Sequence, residues 1–402
     1  MEEALADTPI VVIQGARQVG KSTLAQQLLV SGDRYVTLDD PTERAAAIAD
    51  PTSYVEQAPN GCLAIDEAQR VPELVLALKA SVDRDRRPGR FLLTGSANLL
   101  RISTTHDSLA GRAESVELLG FSQGEIEGRH ESFVDRTFAG DLKTEFSGEL
   151  TRAEYFERIC AGGYPEALAR ADRRRQRWFD EYIRRITERD APDLSNLHRL
   201  GELPRLLRLL AARNASEVRI TTLAKGADIP ERTLPPYLQL LDTMYLVQQI
   251  PAWSTNLSKR IARSAKTALL DCGLAARLIN ITDRALAADM NPNPAGMLTE
   301  AFVMSELRKQ IAWSDTRPQM FHFRDLDGPE VDVVLESDDG RVVAIEIKAS
   351  ATLGGRDFRW IEKLRDKLGR RFVTGVVLYT GGAAHAWGDR LIGLPLSALW
   401  EE

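Results

Sequence analysis

The feature that most constrains this chain is a short glycine-rich loop that matches the phosphate-binding pattern G-x-x-x-x-G-K-[ST] in full. Its glycines let the backbone curl so that N–H groups point towards a phosphate, its lysine can reach the β- and γ-phosphates, and its serine hydroxyl can ligate Mg²⁺. An apolar stretch precedes the loop and a helical pattern follows it, the context that such a loop requires. The sequence therefore predicts an ATP and Mg²⁺ site at Gly15, Ala16, Arg17, Gln18, Val19, Gly20, Lys21, Ser22 and Thr23.

Two acidic residues stand at the end of a second apolar stretch, residues 62–65. Asp66 can hold Mg²⁺ through water, and Glu67 is placed to polarise an attacking water molecule. An acidic pair at a strand end is otherwise often a solvated helix start. In the same alternating pattern as the phosphate-binding loop, it predicts the second half of a hydrolytic site.

Further along, a third polar position and an arginine could complete such a site. Ser96 is the first choice for a residue that senses the γ-phosphate or orients water, with Thr94 and Asn98 as alternatives. Arg112 and Arg101 are candidates for a positive charge that a neighbouring subunit supplies to the phosphates. A plain turn and ordinary surface arginines remain open as alternatives.

The bulk composition excludes several classes of protein. The chain has 402 residues, enough for two to four domains, and its net charge of −6 gives no global sign of nucleic-acid binding. Its three cysteines lie far apart, which argues against a disulfide framework and against a zinc site. No apolar run is long enough to span a bilayer and no signal peptide is recognisable, so we expect a cytoplasmic protein without a membrane partner.

Strands alternate with helices over the first 125 residues, which predicts a P-loop core with a parallel sheet covered by helices. Residues 126–198 are helical and rich in arginine, residues 199–255 contain a helix–turn–helix pattern, and residues 256–402 return to mixed α/β character. We therefore expect an α/β protein with an ATPase core, a helical lid, a winged helix and a C-terminal α/β domain, in that order.

The segments GARQVGKSTL, LAIDEAQ and LLTGSANLL resemble the AAA-type ATPases of the archaeal-ATPase clade. Later segments follow the order of that family, including YIRRITERDA, ALLDCGLAARL, LTEAFVMSEL and EVDVVL with AIEIK. The resemblance implies a winged helix, a C-terminal restriction-endonuclease-like domain of formerly unknown function, and nucleotide-dependent conformational work. It also implies assembly into a homo-oligomer, often a ring.

The helix–turn–helix pattern leaves two interpretations open. A winged helix places its second helix in the major groove of DNA, but here that helix carries little net charge, since Glu231 and Asp242 offset Arg232. It could equally serve protein contacts or relay the nucleotide state. A basic stretch downstream favours DNA, because each base could neutralise one phosphate. The candidate DNA contacts are Arg232, Lys259, Arg260, Arg263 and Lys266.

The C-terminal region carries a constellation used to cut phosphodiesters. Glu346 and Lys348 point the same way on one predicted strand, Asp332 lies on the strand before it, and Glu300 lies on a preceding helix. Acids of this kind can hold Mg²⁺ while the lysine helps to activate water. Such folds also serve as DNA-binding or assembly platforms, and surface salt bridges are a further alternative.

Together these features support a first hypothesis, a DNA-acting ATPase in which hydrolysis rearranges a homo-oligomer on duplex or branched DNA. A regulatory ATP switch, whose C-terminal domains serve assembly or partner binding, is the second. An ATP-gated, Mg²⁺-dependent nuclease is the third. DNA-stimulated ATP turnover separates the first hypothesis from the second.

Overall fold

The computed structural model describes residues 1–95, 109–195, 197, 199–256, 260, 263–288, 292–325, 328 and 330–401. The candidates Ser96, Asn98, Arg101 and Lys259 lie outside this part of the chain. The chain divides into two compact units. The first comprises Met1–Leu119 with Leu240–Leu246, and the second comprises Gly120–Gln239 with Val247–Glu402.

The first unit is built on a five-stranded parallel sheet with the order β2-β3-β4-β1-β5. Its strands are β1 Ile10–Gln14, β2 Arg34–Thr37, β3 Leu63–Asp66, β4 Phe91–Gly95 and β5 Ala113–Glu117. Its helices are α1 Glu2–Asp7, α2 Lys21–Gln27, α3 Pro41–Ala49, α4 Pro51–Tyr54 and α5 Leu74–Arg84. The predicted parallel, helix-covered sheet is confirmed.

Both faces of this sheet are covered, which explains why its central strands read as continuous apolar runs. Along β1, Ile10 and Val12 pack into one hydrophobic cluster, whereas Val11 and Ile13 pack into another on the opposite face. Strand β5 differs, because it is an edge strand of mixed exposure with the sequence AESVE. It has no apolar run, and its pairing with β1 makes it a strand.

The second unit contains two sheets among many helices. Its helices are α6 Gln123–Glu127, α7 Phe133–Ala139, α8 Arg152–Ala161, α9 Pro165–Leu168, α10 Asp172–Arg185, α11 Ala191–Leu194, α12 Leu203–Ala211, α13 Ile220–Ala227, α14 Leu234–Thr243 (its last residues grouped with the first unit), α15 Cys272–Leu278, α16 Asp283–Ala287, α17 Pro292–Ile311, α18 Gly355–Leu368 and α19 Ala398–Glu401. Its strands are β6 Ser216–Glu217, β7 Val247–Ile250, β8 Lys266–Leu269, β9 Gln319–Arg324, β10 Glu330–Glu336, β11 Val342–Lys348, β12 Phe372–Tyr379, β13 His385–Ala386 and β14 Leu391–Pro395. The predicted helical middle and C-terminal sheet are confirmed.

The smaller sheet is antiparallel, with the order β6-β8-β7. It alternates along the chain with α12, α13 and α14, so the segment predicted as a winged helix contains three helices and supplies two of the three strands. Strand β8 lies in the middle of this sheet. Its first residue, Lys266, pairs with Ile250 of β7 on one side and with Glu217 of β6 on the other.

The larger sheet is mixed, with the order β13-β14-β12-β11-β10-β9. Strands β11 and β12 are parallel and are connected through α18, while β10 runs antiparallel to β11. Val333 pairs with Ile345, which brings Asp332 beside Glu346 at one end of the sheet. The register between β9 and β10 shifts between Val331 and Val334, and such irregularities re-aim side chains.

None of the helices in the described ranges combines the length and the apolar character needed to cross a bilayer.

Candidate functional site

The phosphate-binding loop joins the carboxyl end of β1 to α2, and each glycine has a local reason. A Cβ atom at Gly15 would come within 2.0 Å of the Leu118 carbonyl oxygen, so a side chain there would displace the backbone. Gly20 has φ 102°, which side chains other than hydrogen rarely allow. Among the other predicted nucleotide contacts, Ala16 and Val19 are buried, Arg17 is partly buried, and Gln18 and Thr23 are exposed.

Lys21 is the first residue of α2 and is only 6% exposed. Its Nζ donates to the Gly15 carbonyl oxygen at 3.1 Å and to the Ala16 carbonyl oxygen at 2.8 Å. Because α2 begins at Lys21 itself, the ammonium and the amino end of α2 lie together at the loop. Both favour an anion.

Ser22 and Asp66 come together, as their predicted roles require. The Ser22 hydroxyl donates to Asp66 Oδ1 at 2.8 Å, and the hydroxyl of Thr94, at the end of β4, donates to the same oxygen. Thr37 Oγ1 donates to Asp66 Oδ2 at 3.3 Å. Sequence reasoning missed Thr37, although it lies at the carboxyl end of a strand, where such a contact is expected.

Tyr35 is a second neighbour that the sequence did not single out. Burial, together with the negative charge of Asp66, raises the pKa of Tyr35 to about 12. Its hydroxyl therefore stays protonated at neutral pH and can donate a hydrogen bond within the site.

Glu67 follows Asp66 directly and is partly exposed. Its backbone is left-handed, with φ 56° and ψ 41°, an uncommon conformation for a residue with a side chain. The Glu67 N–H donates to Thr94 Oγ1 at 3.3 Å, and the Gln69 side-chain amide donates to the Glu67 carboxylate. Thr94 thus contacts both acids, which favours it as the polar residue at this strand tip.

Arg112 lies at the amino ends of the strands of the same sheet, whereas the phosphate-binding loop lies at their carboxyl ends. It immediately precedes β5, and its carbonyl oxygen accepts from the N–H of Ile10, at the start of β1, at 3.1 Å. The phosphate-binding loop follows the other end of β1, about 16 Å away along a five-residue strand. The Arg112 guanidinium contacts Asp83 through Nε at 2.7 Å and Nη2 at 2.6 Å. Arg112 is therefore too far from the loop of its own chain to contact a phosphate there.

The candidate DNA contacts are placed very differently from one another. Arg232 is exposed, and Arg263 is partly exposed while its Nη1 donates to the Arg324 carbonyl oxygen at 2.6 Å. Arg260 makes a bidentate pair with Glu336, at 2.5 and 3.0 Å, and lies over the Trp253 and Phe321 rings. The prediction of Arg260 as a phosphate contact is therefore corrected, because its guanidinium is already held internally.

The prediction of Lys266 as a DNA contact is wrong for the same kind of reason. The Lys266 side chain is 2% exposed, and its Nζ lies 2.5 Å from Glu300 Oε1, 2.9 Å from Glu330 Oε1 and 3.6 Å from Asp332 Oδ1. Burial opposes its charge, but the carboxylates of Glu300, Asp332 and Glu330 outweigh burial and raise the pKa of Lys266. The ammonium belongs to a carboxylate cluster.

This carboxylate cluster, defined as Glu300, Glu330, Asp332 and Glu346, contains all three acids of the predicted nuclease-like site and one that was not foreseen. Lys348 Nζ donates to Glu346 Oε1 at 2.7 Å, and Asp332 Oδ2 accepts from the Ile347 N–H at 2.9 Å. Burial, and next the charge of Asp332, raise the pKa values of Glu300 and Glu346 to about 8. The described residues include no group of three His, Cys, Asp or Glu side chains arranged to hold a metal ion.

Comparison with known families divides the chain into three consecutive matches. Residues 7–127 match the AAA domain, residues 152–285 match a domain of unknown function (DUF8612), and residues 295–399 match a domain of unknown function (DUF4143). The AAA match spans the phosphate-binding loop, Asp66 and Glu67. The N-terminal region is thus an AAA-type P-loop ATPase domain.

Two mycobacterial proteins align with almost the whole chain. Both, the uncharacterized protein Rv2008c of Mycobacterium tuberculosis and the uncharacterized protein Mb2031c of Mycobacterium bovis, are 31% identical over 353 residues, which cover 88% of this chain and 73% of each relative. The chain belongs to their family. In this member of the Rv2008c-like family, the AAA domain and the two domains of unknown function occur together in one chain.

A solved structure, the Walker-type ATPase PABY2304 of Pyrococcus abyssi, is also similar to this member of the family. It is 19% identical, with a TM-score of 0.40, and the likeness covers 69% of this chain and 93% of that one.

The nucleotide site of this family member fits ATP and Mg²⁺. Gly15 cannot carry a side chain without displacing Leu118, Lys21 presents a buried ammonium at the loop, and the Ser22 hydroxyl lies against Asp66. The loop N–H groups and Lys21 would hold the phosphates, while Ser22 and Asp66 would hold Mg²⁺, directly or through water. When bound, the metal ion neutralises charge on the phosphate oxygens.

Proposed function

We propose that this chain hydrolyses ATP with Glu67 as the general base, and that turnover rearranges a homo-oligomer that holds DNA. The observation that supports the hydrolysis step is the contact between the carboxyl ends of β3 and β4. Thr94 at the end of β4 contacts both Asp66 and Glu67 at the end of β3, and Ser22 reaches Asp66 from α2. The residues proposed as base and metal ligand thus contact the same threonine, and Asp66 also contacts a serine of the phosphate-binding loop, which supports the proposal.

Each residue has a separate role in the proposal. Lys21 and the loop N–H groups bind and orient the phosphates, and Ser22 with Asp66 positions the metal ion. The carboxylate of Glu67 accepts the proton of the attacking water. The amide of Gln69 donates to that carboxylate and so orients it.

Assembly is part of the proposal because Arg112 lies too far from its own loop to act there. In the proposal, Arg112 of one copy leaves Asp83 and reaches the nucleotide bound to a neighbouring copy. There its guanidinium stabilises the charge that develops on the phosphates. Such a shared site requires two copies in contact. The DNA-acting form is thus proposed as a homo-oligomer, with a ring as the simplest closed arrangement.

Mixing two inactive variants tests this sharing. Arg112→Ala and Lys21→Ala should each lower ATP turnover at least 10²-fold, because one removes the shared charge and the other the phosphate contact. When mixed, they should regain measurable turnover, since the Lys21→Ala subunit still supplies Arg112. The exposed Arg84→Ala variant serves as a control that stays active. No recovery in mixtures whose assembly is verified by mass measurement would contradict the shared site.

The DNA part of the proposal is supported by the surface of the segment that contains α12, α13 and α14. The exposed bases of residues 199–255 are Arg199, Arg205, Arg208, Arg213, Arg219, Lys225 and Arg232. Exposed bases can replace counterions along a phosphate backbone. Arg232 lies just before α14, the second helix of the predicted helix–turn–helix.

ATP turnover in the presence of linear, single-stranded and four-way-junction DNA tests this step. We expect stimulation by at least one form, and Arg232→Ala should weaken DNA binding several-fold and lower the salt dependence by about one phosphate contact. Arg86→Ala, an exposed arginine of the first unit, is the matched control. If no DNA form binds or changes turnover, the regulatory ATP switch replaces the DNA-acting ATPase.

A further inference from the structure

A lysine ammonium lies inside the carboxylate cluster of the second unit. Lys266 Nζ contacts Glu300 at 2.5 Å and Glu330 at 2.9 Å, and lies 3.6 Å from Asp332. The side chain is 2% exposed, so no bulk water separates these charges. Three carboxylates from α17 and β10 therefore converge on one cation that the chain itself supplies.

The backbone of Lys266 is held in place by strand pairing. The residue begins β8, the middle strand of the smaller sheet, and is paired on both sides through Ile250 and Glu217. The carboxylates come from elsewhere, namely the larger sheet and α17. Strand pairing therefore fixes the backbone from which the side chain reaches the cluster, and the three carboxylates hold the ammonium there against rotation of the side chain.

The cluster does not fit a divalent metal ion while Lys266 is in place. Mg²⁺ takes oxygen ligands at about 2.1 Å in near-octahedral geometry, and an ammonium at the point of convergence would repel it strongly. No metal-holding group of three acidic, histidine or cysteine side chains is present among the described residues. The same oxygens cannot serve both cations.

We infer that Lys266 is the resident cation of the carboxylate cluster, and that the cluster binds no divalent metal ion in the wild-type protein. The acids that resemble a nuclease centre then have a structural role. Their ion pairs with Lys266 connect the smaller sheet to the larger sheet and to α17. Mg²⁺-dependent cleavage at Glu300, Asp332 and Glu346 is not expected. Removal of the ammonium would leave a cluster of acids able to take a metal ion.

Manganese binding to the nucleotide-free protein tests the inference. We compare the full-length wild type with the single variants Lys266→Ala, Lys266→Met and Asp332→Asn and with the double variant Lys266→Ala/Asp332→Asn. The measurements are Mn²⁺ electron paramagnetic resonance and thermal unfolding. Lys266→Ala should gain one Mn²⁺ site that the double variant lacks. Millimolar Mn²⁺ should also raise the unfolding temperature of Lys266→Ala by several degrees more than that of the wild type, because the ion binds the folded state.

Two results would overturn the inference. One is Mn²⁺ binding to the wild type that Asp332→Asn removes, since this would place a metal ion among the carboxylates despite Lys266. The other is a folded Lys266→Ala or Lys266→Met protein that gains no Mn²⁺ site. If neither lysine variant folds, the comparison of wild type with Asp332→Asn decides the question.

Discussion

Replacement of Glu67 by Gln is expected to lower the rate of ATP turnover by a factor of about 10²–10⁴ and to leave ATP binding intact. Glutamine keeps the size of the side chain and can still accept the hydrogen bond from Gln69, but it cannot accept a proton from water. Lys21 and the loop N–H groups remain to bind the phosphates. Phosphate release under saturating ATP measures turnover, and titration with a fluorescent ATP analogue measures binding.

Glu73→Gln is the matched control for this experiment. Glu73 is an exposed acid at the start of α5 in the same unit, and no side-chain cap depends on it. It should turn over ATP at the wild-type rate. If Glu67→Gln also hydrolyses ATP at that rate, Glu67 is not the base, and a water held by other groups has to be sought.

The second large effect is expected from Glu306→Ala, which should destabilise the second unit by about 3–5 kcal/mol. Glu306 is 1% exposed and accepts from Lys309 Nζ at 2.6 Å and from the Gln123 N–H at 2.8 Å. Burial opposes the charge of Lys309, but Glu306 outweighs it and raises the pKa of Lys309. Alanine would leave that ammonium buried without its carboxylate. Urea unfolding at neutral pH measures the loss.

Two comparisons separate a broken buried pair from a simple loss of packing. The double variant Glu306→Ala/Lys309→Met should recover part of the lost stability, because it leaves no unpaired charge. Glu181→Ala breaks the exposed pair with Arg184 and should cost less than about 1 kcal/mol. A double variant less stable than Glu306→Ala would contradict the electrostatic explanation.

The first unit was largely predictable because its signals are local. Central strands buried on both faces are apolar throughout. In the phosphate-binding loop, Gly15 and Gly20 stand where the backbone leaves no room for a side chain or needs a positive φ, so the loop is recognisable from its sequence. Strand β5 was not predicted, because its sequence AESVE lacks an apolar run and only its pairing with β1 makes it a strand. The contact of Thr37 with Asp66 likewise depends on which strands are neighbours.

The basic residues near Lys266 show where the sequence does not suffice. The stretch from 259 to 266 is basic and free of acids, which reads as a surface for phosphates. The acids that bind these bases lie far along the chain, with Glu300 paired to Lys266 and Glu336 paired to Arg260. Local charge patterns cannot reveal such partners, so buried ion pairs were mistaken for exposed contacts.

The left-handed backbone of Glu67 has a consequence for how this fold could change over time. A residue with a side chain in that conformation is held at a cost of about 1–3 kcal/mol, whereas glycine adopts it freely. At position 67, thermodynamic stability and reactivity therefore make opposite demands. A glycine at this position would raise the free energy of unfolding and remove the proposed base, while the phosphate-binding loop would be unchanged. An ATPase of this kind is thus one substitution away from a more stable protein that binds ATP without hydrolysing it.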